Sequence, residues 1–196
     1  MADLLLNVSA VRLRTLTNGP GLRSAVWVQG CSIQCPGCFN PGTHAHEADR
    51  LWNPEALAER MMAAEIEGVS ILGGEPFEQA AACARLARRV RALGGSVVSY
   101  SGYTWQYLRD CRIPAVHELL GATDLLVAGP FVQSKTNDGR GWHGSTNQEF
   151  LFLTKRYDES IREQFDRVPV VEVRTDGHTV DWTGIPGVSP IDLFQE

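Results

Sequence analysis

Residues 24–38 read Ser-Ala-Val-Trp-Val-Gln-Gly-Cys-Ser-Ile-Gln-Cys-Pro-Gly-Cys, a compact apolar run that ends in glycine and passes straight into three closely spaced cysteines. Residues 24–29 have the length and unbroken apolar character of a buried strand, and Gly30 marks its end. The cysteines are therefore delivered at the end of a strand. Five cysteines in all is an odd number, so complete internal pairing is impossible, and a chain of 196 residues needs no covalent staples to hold its core. Clustering of Cys31, Cys35 and Cys38 within one short segment reads instead as metal binding.

Around this segment the chain alternates strands and helices. Asn53, Pro54 and Glu55 read as a helix cap with proline in the first turn. Leu57, Met61 and Ala64 follow at helical spacing, and Gly68 is placed as the stop. Residues 69–72 form a short apolar strand that runs into Gly73-Gly74-Glu75-Pro76. Cys83, Leu86, Ala87, Val90 and Leu93 then share one face of a second helix, with Arg85, Arg88, Arg89 and Arg91 on its solvated side and Gly94-Gly95 as its end. Residues 96–100 are the next strand; helical pieces at 105–108 and 116–120, separated by Pro114, precede a buried strand at 124–128. This rhythm predicts an α/β fold of parallel strands joined by right-handed crossovers. The last third departs from it. Residues 150–153 read as a strand, 170–173 pair with 179–182 across the Asp176-Gly177 turn, and Ile185-Pro186-Gly187 begins an irregular tail.

Composition narrows the class. With 43% hydrophobic and 21% charged residues, the chain has the balance of a packed domain, and its length suits one domain spanning 1–196. A formal net charge of -5 argues against a nucleic-acid binder. No apolar stretch is long enough for a membrane span, and residues 1–8 lack the apolar core of a signal peptide. A cytoplasmic protein without a membrane partner is expected.

Three thiolates in one loop are one ligand short of a closed four-coordinate site. Either His44 or His46 completes a structural Cys3His zinc site, or the cysteines hold three irons of a [4Fe-4S] cluster and leave the fourth open to a small molecule. Spacing alone leaves the two level. The second needs a platform for that molecule, and Gly73-Gly74-Glu75-Pro76 offers one. The glycines permit close backbone approach, Glu75 is an acceptor for an ammonium, and Pro76 fixes the turn. Taken alone this is an ordinary strand-to-helix turn. Both segments nevertheless follow strands of one parallel sheet, where ligands bind beyond the carboxyl ends. Cys83, on an apolar helix face, reads as a core residue, and Cys111, beside Asp110 and Arg112, has no second ligand pattern around it.

The segment from Cys31 to Cys38, followed after one strand and helix by Gly73-Gly74-Glu75-Pro76, resembles the radical S-adenosylmethionine (SAM) enzymes. More closely, the chain is similar to the glycyl-radical-enzyme activases of the anaerobic ribonucleotide reductase group. The likeness extends through Asn18-Gly19-Pro20-Gly21-Leu22-Arg23, Cys38-Phe39-Asn40, Tyr100-Ser101-Gly102-Tyr103-Thr104, the run Asp124 to Phe131, and Gly144-Ser145-Thr146-Asn147-Gln148. It implies an open partial (β/α) barrel of the radical SAM type, here with a C-terminal β-hairpin. It also implies a [4Fe-4S] cluster on Cys31, Cys35 and Cys38, and SAM held with its amino group toward Gly73, Gly74 and Glu75, Pro76 shaping the turn. Ser99 and Ser101 are implied on the ribose or carboxylate side, and Asn40 and Asn147 at the same mouth. The implied activity is reductive cleavage of SAM to a 5′-deoxyadenosyl radical that takes hydrogen from a glycine of a partner enzyme. An external one-electron donor such as a flavodoxin or ferredoxin feeds the reaction. The alternatives are a free-standing radical SAM enzyme acting on a small molecule or peptide, and a non-catalytic iron-sulfur or zinc module. Departures from the family pattern are Asn18 where aspartate is common, Gly37 before the third cysteine with the aromatic Phe39 after it, and His143 where this branch usually has arginine.

Overall fold

A computed structural model describes residues 4–63, 65–136, 140–165 and 171–184. Ala64, Val170 and the tail beginning at Ile185 lie outside the described residues. Strand β1 (Leu6–Thr15) leads to β2 (Arg23–Val28), the short β3 (Arg50–Trp52) and helix α1 (Pro54–Met62). Then come β4 (Gly68–Gly73), α2 (Ala80–Ala92), β5 (Ser96–Ser101), α3 (Trp105–Asp110) and α4 (Pro114–Ala122). Strands β6 (Leu125–Ala128) and β7 (Glu149–Phe152) complete a sheet of order β3-β1-β2-β4-β5-β6-β7, while β8 (Val171–Thr175) and β9 (Val180–Gly184) form a separate hairpin.

Parallel pairing, expected for the strands that alternate with helices, is confined to the four central strands β2, β4, β5 and β6. Antiparallel β1 and β3 extend one side and antiparallel β7 the other. Sequence periodicity does not reveal β1, because its register against β2 shifts twice, between Val8 and Ala10 and again between Arg12 and Thr15. Each bulge offsets the alternation by one residue, and Arg14 takes a positive φ of 58° at the second. The sheet is open, with β3 and β7 as its edges, so a closed barrel is not formed.

Helices pack on one face. Leu57, Ala58 and Met61 of α1, Cys83, Leu86, Ala87 and Val90 of α2, and Val116, Leu119 and Leu120 of α4 are buried there with Val69, Ile71, Val97 and Leu126 of the strands. Cys83 is thus a core residue, as its helical position predicts. The arginines of α2 reach across to carboxylates on neighbouring helices, Arg85 to Glu55 at 2.6 Å, Arg89 to Glu59 and Arg88 to Glu118 both at 2.7 Å. At such exposure these pairs add little stability. On the opposite face Val98 and Leu125 pack with Trp142 and Ile161 in a second cluster.

Two boundaries differ from expectation. Helix α1 is capped as predicted, Asn53 Oδ1 accepting from Ala56 N at 2.9 Å, but Gly68 does not stop it. Gly68 opens β4 instead, because a Cβ there would lie 2.0 Å from the Ser96 carbonyl oxygen of β5. The hairpin forms across Asp176-Gly177, yet pairs Val173 with Trp182 and Thr175 with Val180, three residues from the predicted register. Asp176 Oδ1 accepts from the backbone of both His178 and Thr179, which widens the turn to four residues. No described helix is long and apolar enough to cross a membrane.

Candidate functional site

The parallel pairing of β2 with β4 brings the two sequence motifs together. Val28 lies opposite Gly73, and beyond this pair the backbones stay bonded, Gly74 N to Val28 O and Glu75 N to Gly30 O, both at 2.8 Å. The glycines are required by closeness. A Cβ at Gly74 would meet Gly30 O at 2.2 Å, and one at Gly73 would meet Trp27 Cα at 2.5 Å with φ already at +106°. The cysteine loop is tied back on itself by Gly30 N to Thr43 O at 2.8 Å and Cys31 N to His44 O at 3.1 Å.

Cys31, Cys35 and Cys38 line one cavity of about 450 Å³ together with Gly73, Gly74 and Glu75. Burial pushes the Cys31 and Cys38 thiols above their ordinary range, so a cationic centre is needed to hold them as thiolates. Among the described residues no three His, Cys, Asp or Glu side chains are disposed to grip a single metal ion. Three thiols lining one cavity, each able to bind a different iron, are a donor set that suits an iron-sulfur cluster. His46, one of the two histidines able to complete a zinc site, is engaged elsewhere, 3.1 Å from Ser32 Oγ and 3.5 Å from Glu78. His44 lines the cavity, its Nε2 buried without a partner.

Glu75 is buried, 1% exposed, at the cavity wall. Its Oε1 accepts from Phe77 N at 3.0 Å and Ser101 Oγ at 2.9 Å, and its Oε2 from Gly102 N at 2.8 Å. Three lone-pair sites are used and one remains. No Lys, Arg or His among the described residues pairs with it. Burial pushes its carboxyl from the ordinary 4.5 up to about 7, opposed by these hydrogen bonds and reinforced by the charge of Glu78. The folded protein therefore keeps a proton that the unfolded chain releases above pH 4.5. Native stability without ligands is expected to fall as pH rises from about 4.5 to about 7 and to level off above that. Thermal melts from pH 5 to 7.5 check this: Glu75→Gln removes that part of the slope, and an identical slope in both proteins contradicts it.

The serines separate. Ser101, at the end of β5, lines the cavity and bonds Glu75. Ser99, two residues earlier, points to the helix side, where its hydroxyl lies 2.9 Å from Thr123 Oγ1, and it does not line the cavity. Its place mid-strand, one repeat short of the carboxyl end, keeps it from the mouth. Pro76 is buried in the first turn of a 3-10 segment (Pro76–Gln79) that Glu75 caps. Asn40 lines the cavity; Asn147 instead donates Nδ2 to Pro130 O at 2.9 Å, and its neighbour Gln148 reaches the wall. Phe39 and Phe131, with ring centroids 4.9 Å apart, close the side beneath Gly144. Asn18 is buried and accepts from Thr15, Thr17 and Thr183 hydroxyls, so the amide's acceptor oxygen is fully used. His143 Nδ1 lies 2.9 Å from Gly141 O and its ring meets Phe150 edge to face. Cys111 is half-buried at the end of α3, 3.4 Å from Leu108 O and away from the cavity.

One contributor escaped the sequence reading. Glu78 accepts from Ser32 N at 2.9 Å and from Tyr103 OH at 3.1 Å, so it fastens the residue after Cys31 to the loop after β5. Its place three residues after Glu75 in the same turn was the available signal.

A family model described as 4Fe-4S single cluster domain matches residues 17–151. An anaerobic ribonucleoside-triphosphate reductase-activating protein of Vibrio cholerae is 32% identical over 143 residues, covering 68% of this chain and 89% of the relative. The protein of that name from Escherichia coli K12 is 28% identical over 143 residues, covering 68% and 90%. That of phage T4 is 25% identical over 138 residues, covering 67% and 84%. The matched stretch takes in the cysteine loop, the glycine turn and the strands that join them, and by that extent and that identity the chain belongs to the 4Fe-4S single cluster domain family, with anaerobic ribonucleoside-triphosphate reductase-activating proteins among its relatives.

Proposed function

We propose that this protein is a radical SAM activase that generates a glycyl radical in an anaerobic ribonucleoside-triphosphate reductase. The observation that carries the reading is a single cavity in which three loop thiols face a buried carboxylate that, among the described residues, lacks a counter-cation. A reduced [4Fe-4S] cluster held by Cys31, Cys35 and Cys38 would supply the electron for cleavage of SAM to methionine and a 5′-deoxyadenosyl radical, and that radical would take a hydrogen atom from the partner's glycine.

Each part of the chain has a task in this reading. Cys31, Cys35 and Cys38 hold the cluster. Gly73 and Gly74 leave room for the methionine end of SAM, and the free lone pair of Glu75 accepts from its ammonium, whose charge draws the carboxyl back to its ionised form. Ser101 holds that carboxylate in place. The four parallel strands serve as a partial barrel whose mouth lies at their carboxyl ends, and the buried wall keeps water from the reacting atoms. A flavodoxin or ferredoxin is the proposed electron source, and the open side of the sheet admits a macromolecular substrate.

Anaerobic reconstitution with iron and sulfide, reduction, and addition of SAM with the cognate reductase test the proposal. About four irons per chain, release of 5′-deoxyadenosine and a glycyl radical signal on the reductase are expected. A colourless protein holding one zinc would overturn the cluster assignment. Deoxyadenosine without a reductase radical would instead favour a free-standing enzyme.

A further inference from the structure

We infer that the C-terminal hairpin is a docking element for the reductase, presenting an outward apolar face beside the cavity mouth; this rests on the activase reading. Its register places Val171, Val173, Thr175, Val180 and Trp182 on one face, and Glu172, Arg174, Asp181 and Thr183 on the other. The polar face is the one that meets the body of the protein. Asp181 pairs with Arg12 at 2.5 Å, Glu172 accepts from Leu16 N at 3.2 Å, Arg174 donates to the Arg14 carbonyl, and Thr183 donates to Asn18 Oδ1 at 2.9 Å. The apolar face is left in water, with Val173 52%, Val180 63% and Trp182 37% exposed. A hairpin added only for stability turns the other way, apolar side in and polar side out. Leu16, 38% exposed and bonded to Glu172, adds a further apolar side chain next to it.

Position selects the occupant. Asp181, Trp182, Thr183 and Gly184 line the same cavity as the loop cysteines, so whatever covers the apolar face stands at the entrance to the reacting atoms. A glycine that gives up hydrogen there must arrive on its own protein, and that protein's surface beside the glycine is what the mouth meets. The hairpin also follows the last residue of the family match, 151, and so lies outside the portion shared with the family. Apolar contacts of this kind, centred on an exposed Trp, are typical binding anchors.

The test is the double substitution Val173→Ser/Val180→Ser, both at positions that line neither the cavity nor the contact with the body. The reconstituted protein is expected to release 5′-deoxyadenosine at the wild-type rate without reductase and to keep its melting temperature. Its affinity for the reductase is expected to fall about tenfold or more, with the glycyl radical yield falling at low reductase concentration and recovering at high. The single substitution Val180→Lys is expected to act in the same direction. Unchanged affinity overturns the inference. So does a wild-type dimer in sedimentation that both variants convert to monomers with reductase binding intact, since the face would then belong to a second copy. Failure of the activase reading itself is separate: the wild-type protein would then leave no radical on the reductase before any variant is compared.

Discussion

Replacing Cys35 with alanine is expected to leave a protein that reconstitutes with far less than the wild-type iron and forms 5′-deoxyadenosine at least about a thousandfold more slowly. In the proposed reading the loop supplies three thiols for three irons, and the other described cysteines lie outside the cavity; His44 lines it, but an imidazole does not replace a thiolate's charge. Cys83 is fully buried among the α1 and α2 side chains, with its thiol held neutral by burial, and Cys111 is fastened at the end of α3 away from the cavity. His46 is committed to Ser32 and Glu78. The control is Cys83→Ala, which is expected to keep its iron while losing about 1–2 kcal/mol of stability from the small core void. Iron analysis and the visible spectrum read both. A Cys35→Ala protein with about four irons per chain would remove the loop from the cluster assignment.

Gly73→Ala is expected to have the largest effect on stability of any single methyl group added to the site. The added Cβ would lie 2.5 Å from Trp27 Cα, 2.6 Å from Trp27 Cβ and 2.7 Å from Val28 N, all on the neighbouring strand, at a residue whose φ is +106°. None of these is the tip of a flexible side chain, so β2 and β4 must part where the two motifs meet. An alanine held at such φ costs on the order of 1–3 kcal/mol before the clash is counted. Against a total of roughly 5–15 kcal/mol this is a large fraction, and a fall of about 10 °C in melting temperature is expected. Binding of SAM to the reconstituted protein should weaken together with it. Gly121→Ala provides the contrast: a Cβ there meets nothing within 4 Å, the position is helical, and alanine is expected to stabilise it slightly. A Gly73→Ala melting temperature within about 2 °C of wild type would show that the two strands do not depend on that close approach.

Much of this arrangement was legible in the residues. The unbroken apolar run of β2, the Asn53-Pro54 start of α1, the glycine stop after α2 and the Asp176-Gly177 turn are all local signals, set by one stretch of chain. Strand β1 was not legible, since its two bulges break the alternation that marks a strand. Gly68 looked like a helix stop because helix ends and close strand contacts both call for glycine, and only the nearness of Ser96 distinguishes them. Glu78 carried no local mark beyond its spacing from Glu75; it matters through Ser32 and Tyr103, 46 and 25 residues away.

By itself the sequence determined that three cysteines crowd into one loop, that two glycines and an acidic residue share one turn, and that both follow strands. Those properties reside in side-chain chemistry and short spacing. Only the tertiary structure decided that Val28 pairs with Gly73 and sets the thiols beside Glu75, that Glu75 is buried without a cation among the described residues, and that Ser101 faces the cavity while Ser99 does not. It alone decided that the hairpin turns its polar face inward. Burial and charge balance are properties of what surrounds a group, and those surroundings come from elements far apart in the chain.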